Sequence, residues 1–335
     1  MKNNEANRKF RYLAKPRKSN FYSEVKERIK ECSEKYKLLG LDNPKAFIKL
    51  EKSDFAAFIT YIWPFANSSE TSFLLTDFII WTFVYDDWFE KNSLESFKEI
   101  NRQIFNVMDN KDFSNRDNPY VALFHEFFQA FQKEASIDCE RRFINSMKKC
   151  LLAAEEEMLA KQKGSFNNID HYIKIRRFAG AVIPSFNLLE LTRDIDSSLI
   201  SISEEKLNQL LEIASDQVCY FNDFFSYERE KVSGDIANLV INYEIHNNYS
   251  NKKALEFSFN LIELRTNQFG EIYQTIDPIK EKDLKEYADG IIDWMSGHME
   301  WYNHTKRYSE KIFLNKEELV CKVENLIVNS YNNIC

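Results

Sequence analysis

Three side chains that carry oxygen atoms recur at four-residue intervals along one segment: Asn222, Ser226 and Glu230. Residues four apart lie on the same face of an α-helix. Long side chains on a helix lean toward its N-terminus, so Glu230 can reach the two shorter side chains. An amide carbonyl, a hydroxyl and a carboxylate are ligands that suit Mg²⁺, which readily shares phosphate oxygens. We interpret this oxygen triad as a candidate magnesium site, with Arg229 beside it to bind a phosphate.

The triad lies in a segment, residues 203–233, that contains no proline or glycine and is followed by Gly234. This pattern predicts one long helix. Polar residues at helical spacing often form nothing more than a solvated face. Here five aromatic side chains crowd the same two turns and leave little room for such a face. They are Tyr220, Phe221, Phe224, Phe225 and Tyr227.

A second group of acidic residues, Asp86, Asp87 and Glu90, ends an apolar segment that is predicted to be a helix over 72–90. Asp86 and Glu90 are four residues apart and share a face with Phe83, one turn earlier. Carboxylates beside such a face are costly to bury unless a cation pairs with them. A solvated helix end is the alternative interpretation of this acidic motif.

A third candidate combines Arg176, Gly180 and Pro184. Pro184 lacks the N–H that would bond the Gly180 carbonyl in a continuous helix, and Gly180 has no side chain to shield that carbonyl. The pattern indicates either a simple kink or a pocket with a carbonyl dipole next to a phosphate anchor. Arg307 follows a final helix predicted at about 281–306, where a surface arginine is the simplest interpretation.

The elements that must position these residues are predicted to be helical throughout. The 335-residue chain has only 7 Gly and 6 Pro, and it has no glycine-rich loop of the dinucleotide or P-loop kind. We therefore expect an all-α fold, with residues 1–20 as a flexible basic tail and residues 21–335 as one domain. The predicted helices are 21–39, 54–62, 72–90, 93–108, 119–134, 137–163, 203–233, 235–246, 253–275 and 281–306, with a further helical stretch in 309–335.

Composition also excludes several classes of function. A net charge of −7 argues against nucleic acid as a partner. The six cysteines form no CxxC pair and the five histidines no HExxH motif, so we expect reduced core cysteines in a cytoplasmic protein rather than zinc or disulfides. The most apolar run, residues 73–85, is too short to span a bilayer. A small-molecule ligand is the expected partner, bound by a monomer or homodimer.

Together these motifs resemble those of class I terpene synthases of the microbial type. Asp86-Asp87-Trp88-Phe89-Glu90 is similar to the family's aspartate-rich motif, although Glu90 stands where an aspartate is common. Asn222-Asp223-x-x-Ser226-x-x-Arg229-Glu230 matches its second metal motif. Arg176 with Gly180 resembles the family's diphosphate-sensing arginine and effector glycine. The family's C-terminal signature is similar to Gly297-x-x-x-Trp301-x-x-x-Thr305-x-Arg307-Tyr308. The order of these motifs and the separations between them agree with those of the family over about residues 55–308.

The resemblance implies a single-domain antiparallel helical bundle around a deep central pocket. It implies an enzyme that ionises an acyclic isoprenyl diphosphate, with farnesyl diphosphate the first choice, and cyclises the cation to a terpene hydrocarbon or alcohol with release of diphosphate. Three Mg²⁺ ions, or Mn²⁺ in their place, would be held by the acidic motif and the oxygen triad. The remaining implied site residues are the diphosphate ligands Arg176, Arg229, Arg307 and Tyr308, the Gly180 carbonyl, and the pocket-lining Phe83 and Trp301.

Two alternatives remain at this point. A chain-elongating prenyl diphosphate synthase shares the fold, but it would need a second aspartate-rich motif at the position of Asn222 and paired arginines soon after Glu90. Residues 91–94, Lys-Asn-Ser-Leu, offer no such arginines. The other alternative is a helical binding module without catalysis. Release of diphosphate in the presence of Mg²⁺ distinguishes an enzyme from a binding module.

Overall fold

The computed structural model describes residues 10–36, 52–89, 92–111, 118–200, 203–306 and 327–328, and for residues 87–89 and 327–328 it describes the backbone only. Its α-helices are α1 (Tyr22–Lys35), α2 (Phe55–Ile62), α3 (Ser69–Phe89), α4 (Leu94–Met108), α5 (Pro119–Glu134), α6 (Ile137–Lys163), α7 (Ile169–Ala179), α8 (Val182–Asn187), α9 (Ser197–Ile200), α10 (Glu204–Ser233), α11 (Leu239–Asn247), α12 (Asn251–Gln274) and α13 (Lys282–His304). A 3₁₀ turn, Leu188–Leu191, follows α8, and two short strands, β1 (Phe10–Arg11) and β2 (Ile327–Val328), pair in parallel. The predicted all-α fold is confirmed.

Local capping explains where many of these helices begin and end. Ser136 and Asn168 each accept a hydrogen bond from a backbone N–H in the first turn of the following helix. Gly234 ends α10 with a φ of 78°, a left-handed conformation that glycine adopts without strain. The helix predicted to begin at residue 235 begins instead at Leu239, because the Asn238 side chain caps it.

The central element of the bundle is α10, which carries the oxygen triad. It packs against α7, α8, α11, α12 and α13. The main hydrophobic core connects buried side chains from Phe10 to Tyr302. Within the described ranges, no helix is both long and apolar enough to cross a membrane.

The N-terminal segment departs from the sequence prediction. Residues 10–20, expected to belong to a flexible tail, pack on the bundle instead. The Phe10 ring is only 1% exposed, and its centroid lies 5.0 Å from that of Phe221 and 4.5 Å from that of Phe259. An apolar ring gains more by covering this aromatic side of α10 than by remaining in water.

At the other end of the chain, residues 327 and 328 form strand β2 rather than the predicted helix, because they pair with β1. The rest of the helical stretch predicted in 309–335 lies outside the described residues. So does the predicted end of the first helix at residue 39.

A close contact between α13 and α2 fixes the wall of the bundle near the predicted C-terminal signature. A Cβ atom at Gly297 would lie 2.2 Å from the backbone oxygen of Tyr61, so the two helices touch where glycine stands. One turn later, the Trp301 indole donates a hydrogen bond of 2.9 Å to the Ser53 carbonyl. The Thr305 hydroxyl donates to the same carbonyl at 3.0 Å.

Candidate active site

A cavity of about 440 Å³ lies between α2, α3, α6, α7, α8, α10 and α13. Its wall includes eight of the residues that the sequence singled out, from four different helices and the break after α7. They are Phe83, Asp86, Arg176, Gly180, Asn222, Arg229, Glu230 and Trp301. Segments far apart in sequence therefore meet at one cavity, as the motifs predict.

Among the other predicted site residues, Ser226 is the one whose side chain the structure describes, and it is absent from the cavity wall. Ser226 is fully buried within α10. The backbone of Asp87 belongs to α3, but its side chain is not described. Glu90, Arg307 and Tyr308 lie outside the described residues, and their roles stay predictions.

The oxygen atoms of the triad are held by N–H and O–H groups. The Asn222 Oδ1 atom accepts a hydrogen bond of 3.0 Å from the Arg176 guanidinium, and its Nδ2 donates to the Tyr302 hydroxyl at 2.6 Å. The Ser226 hydroxyl donates to the Asn222 backbone oxygen at 2.8 Å. The Glu230 carboxylate pairs with Arg229 at 2.7 Å and accepts from Asn238 at 2.9 Å.

The donor set fits a hard divalent cation. Oxygen atoms are offered by an amide, a hydroxyl and a carboxylate on successive turns of one helix, and the amide and the carboxylate belong to the cavity wall. The Ser226 hydroxyl donates one hydrogen bond and keeps acceptor lone pairs. In the described residues no cluster of three or more His, Cys, Asp and Glu side chains could hold a metal.

Arg176 is fixed by a buried carboxylate that the sequence analysis did not assign to the site. Asp223 is 0% exposed and accepts from the Arg176 Nε atom at 3.0 Å, from the Tyr172 hydroxyl and from the Leu239 N–H at 3.0 Å. Burial raises the pKa of Asp223 to about 6, and the Arg176 guanidinium opposes that rise. Asn222 thus belongs to the cavity wall, while its neighbour Asp223 anchors Arg176.

The chain breaks from helix between α7 and α8 at Gly180 and Ala181, both in the cavity wall. A Cβ atom at Gly180 would lie 2.6 Å from the Cys219 sulfur, so a larger residue would force the Cys219 side chain or its helix to shift. Ala181 adopts a φ of 55°, a conformation that costs an alanine about 1 kcal/mol. Pro184 is the third residue of α8, where its missing N–H is not needed by that helix.

A lysine that the sequence analysis missed also lines the cavity. The Lys161 ammonium lies 3.2 Å from the Glu157 carboxylate and 3.0 Å from that of Asp235. Burial lowers the pKa of Lys161, but these carboxylates and that of Asp86 outweigh the effect and raise it above its ordinary value. Lys161 therefore stays charged and balances the negative charge of this part of the cavity wall.

The deeper wall is aromatic and includes a buried histidine. His298 is 4% exposed, and its ring stacks on Trp294 with centroids 5.6 Å apart. Phe58 and Tyr302 meet it edge-on at 6.1 and 5.1 Å. Burial, together with the positive charge of Arg176, lowers the pKa of His298 to about 3, so the imidazole is neutral at neutral pH.

This histidine predicts a specific sensitivity to acid. In the unfolded chain its pKa is about 6.5, so the unfolded state binds a proton below that pH while the folded state does not until about pH 3. The stability that the neutral imidazole contributes to the folded state is fully present above pH 6.5 and is lost as the pH falls toward 3. At about 1.4 kcal/mol per pH unit, the loss is on the order of 5 kcal/mol.

Urea unfolding of the wild type and of His298→Phe at several values between pH 7 and pH 4 checks this prediction. We expect the wild type to lose stability more steeply, because the variant has no imidazole to protonate. Arg176 is the charged group that acts on this histidine, and the rings of Phe58, Phe221 and Tyr302 surround it. An equal loss of stability in both proteins as the pH falls would contradict a buried neutral His298.

Comparison with known proteins decides the family. A family model described as "Terpene synthase family 2, C-terminal metal binding" matches residues 77–268, more than half of the chain. The chain belongs to this terpene synthase family. The match includes the acidic motif, Arg176 and the whole oxygen triad, and it confirms the predicted enzyme class.

Relatives of this terpene synthase include bacterial enzymes of similar length. It is 22% identical to germacrene A synthase of Nostoc punctiforme over 305 residues, 89% of this chain and 94% of that protein. It is 23% identical to the (+)-T-muurolol synthase of Roseiflexus castenholzii over 243 residues, 70% of this chain and 74% of that protein.

Solved terpene synthase structures share the fold. A crystal structure of α-eudesmol synthase superposes with a TM-score of 0.76 at 17% identity, covering 88% of this chain and 98% of that one. The linalool/nerolidol synthase of Streptomyces clavuligerus, solved with 2-fluorogeranyl diphosphate, gives 0.77 at 18% identity, covering 90% of this chain and all of that one.

Proposed function

We propose that this terpene synthase ionises farnesyl diphosphate in the presence of a divalent metal ion and cyclises the resulting carbocation. The observation that carries this proposal is the single cavity that joins the oxygen triad, Asp86 and Arg176 to an aromatic wall. The cavity has a charged end that suits a diphosphate and an apolar end that suits a hydrocarbon chain. The name of the muurolol synthase, a "(2E,6E)-farnesyl diphosphate cyclizing" enzyme, supports the choice of substrate.

The metal ligands follow from the same residues. We propose that Asp86, with Asp87 and Glu90 in support, holds two Mg²⁺ ions and that the oxygen triad holds a third. When bound, the ions neutralise the negative charge that develops on diphosphate as the allylic C–O bond breaks. Arg176 already contacts the Asn222 oxygen, so a ligand at this place meets a guanidinium that Asp223 holds in position.

The protein's own side chains bind the two ends of the substrate. Arg176 and Arg229 are two described cations of the cavity wall, and Arg307 and Tyr308 are proposed to join them on the diphosphate. The rings of Phe83 and Trp301 can stabilise a carbocation by about 2 kcal/mol each once water is excluded. The Gly180 carbonyl, at the helix break, is proposed to favour positive charge nearby.

The test is incubation of the purified protein with the C10, C15 and C20 isoprenyl diphosphates and Mg²⁺, followed by gas chromatography and a diphosphate assay. We expect diphosphate release and a cyclic product from the C15 substrate. Elongated products that require isopentenyl diphosphate would indicate a prenyl diphosphate synthase, an alternative that the comparisons do not favour. No diphosphate release from any of the three would contradict the proposal.

Asp86→Asn should raise the Mg²⁺ concentration needed for half-maximal diphosphate release and should lower turnover. The variant keeps the size of the side chain but loses the charge that would attract a divalent ion. Asp86 is the exposed carboxylate at the end of α3 that lines the cavity. Metal titrations of both proteins check this, with Glu90→Gln expected to have the smaller effect. Small and equal effects would mean that the acidic motif is only a helix end.

A further inference from the structure

The imidazole of His298 is a basic group of the cavity wall that has no part in the proposed ionisation. It lies on α13 between Trp294 and Trp301, one turn from each, and all three side chains line the cavity. Phe58 covers it from α2 and Phe221 from α10. A nitrogen base thus stands in the part of the wall that would face a hydrocarbon.

The imidazole is available to take a proton. Its Nδ1 atom is buried away from the cavity and has no hydrogen-bond partner among the described residues, so Nε2 is the ring nitrogen that the cavity can reach. A neutral imidazole carries one N–H and one nitrogen lone pair. Two carboxylates of the cavity wall are paired with cations instead: Glu230 with Arg229, and Glu157 with Lys161.

We propose that His298 accepts the proton that ends the carbocation reaction and so fixes where the double bond of the product forms. This inference rests on the proposed function. In the step, a C–H bond next to the cationic carbon breaks, its electron pair becomes the second bond of the alkene, and the proton bonds to the imidazole nitrogen. The imidazolium then passes that proton to the departing diphosphate or to water.

The burial that makes this histidine a weak base suits the task. A carbocation is a far stronger acid than an imidazolium ion, so even a base whose pKa is near 3 removes its proton readily. The same low pKa keeps the imidazole uncharged before the cation forms. A charged imidazolium in this place would repel the cation through a medium of low dielectric.

The experiment compares products of the wild type, His298→Ala and His298→Phe with farnesyl diphosphate and Mg²⁺. We expect diphosphate release to fall no more than about fivefold, while the ratio of the main alkene to alcohols and other alkenes falls at least about tenfold. Added imidazole should restore that ratio in His298→Ala. Added pyrrole, which has the same shape and no basic lone pair, should not. If the alanine variant does not fold, the product ratio of the phenylalanine variant is compared with that of the wild type.

An unchanged product ratio in the variants would overturn the inference, as would equal restoration by imidazole and pyrrole, which would show that only the ring's shape matters. A wild-type product that is wholly alcohol would also overturn it. Absence of diphosphate release from the wild type would overturn the proposed function, and the role of His298 with it.

Discussion

Replacing Glu230 by glutamine is expected to lower diphosphate release at least about 100-fold, equivalent to about 2.7 kcal/mol of transition-state stabilisation. The change keeps the shape of a side chain that lines the cavity but removes the charge of the oxygen triad. Asn222→Ala and Ser226→Ala should cause losses of similar size, because each removes one oxygen of the proposed metal site. Steady-state diphosphate release at several Mg²⁺ concentrations measures these effects.

Glu228→Gln provides the matched control. Glu228 lies on the same helix, two residues away, and it is absent from the cavity wall. The same chemical change there should leave diphosphate release within about twofold, as is usual for substitutions away from a site. Near-normal release by all three triad variants at low Mg²⁺ would mean that the triad is only a polar helix face.

Gly297→Ala is expected to destabilise the protein by about 3 kcal/mol or more, which is large for a single methyl group. The added Cβ would lie 2.2 Å from the Tyr61 oxygen, and backbone cannot move aside as the end of a flexible side chain can. The expected result is separation of α13 from α2, with a lower midpoint of unfolding in urea. Activity should fall as well, because Trp294, His298 and Trp301 lie on the displaced helix.

The matched control is Gly270→Ala, also within a long helix. A Cβ atom at Gly270 would meet nothing within 4 Å. Alanine is better than glycine in a helix interior by about 1 kcal/mol, so this variant should be more stable than the wild type. The same substitution should therefore lower the free energy of unfolding at position 297 and raise it at position 270. Equal effects would contradict the close contact between α13 and α2.

Features that depend on local spacing could be predicted from the sequence. The bounds of α10 follow from the absence of proline and glycine over residues 203–233, and the triad follows from its four-residue period. His298 had a local signal too, since it stands four residues after Trp294 and three before Trp301. The sequence pattern singled out Trp301 on that helix but not the base three residues before it.

Features that depend on distant partners could not be predicted in this way. Asp223 anchors Arg176 across 47 residues of sequence, and no spacing rule relates the two. Lys161 is surrounded by acidic groups from α3, α6 and the segment after α10. Phe10 was assigned to a tail because its aromatic partners are more than 200 residues later in the chain. The extent of the domain, the cytoplasmic location and the oligomeric state stay predictions.

The parallel pairing of β1 with β2 has a consequence for how this protein is made. Residues 10 and 327 are joined across nearly the whole chain, and closing so long a loop is slow compared with forming local helices. During synthesis, which proceeds at about 5–20 residues per second, β1 leaves the ribosome long before its partner. The bundle that carries the oxygen triad can therefore collapse before these two strands meet, and their pairing belongs to the last stage of folding.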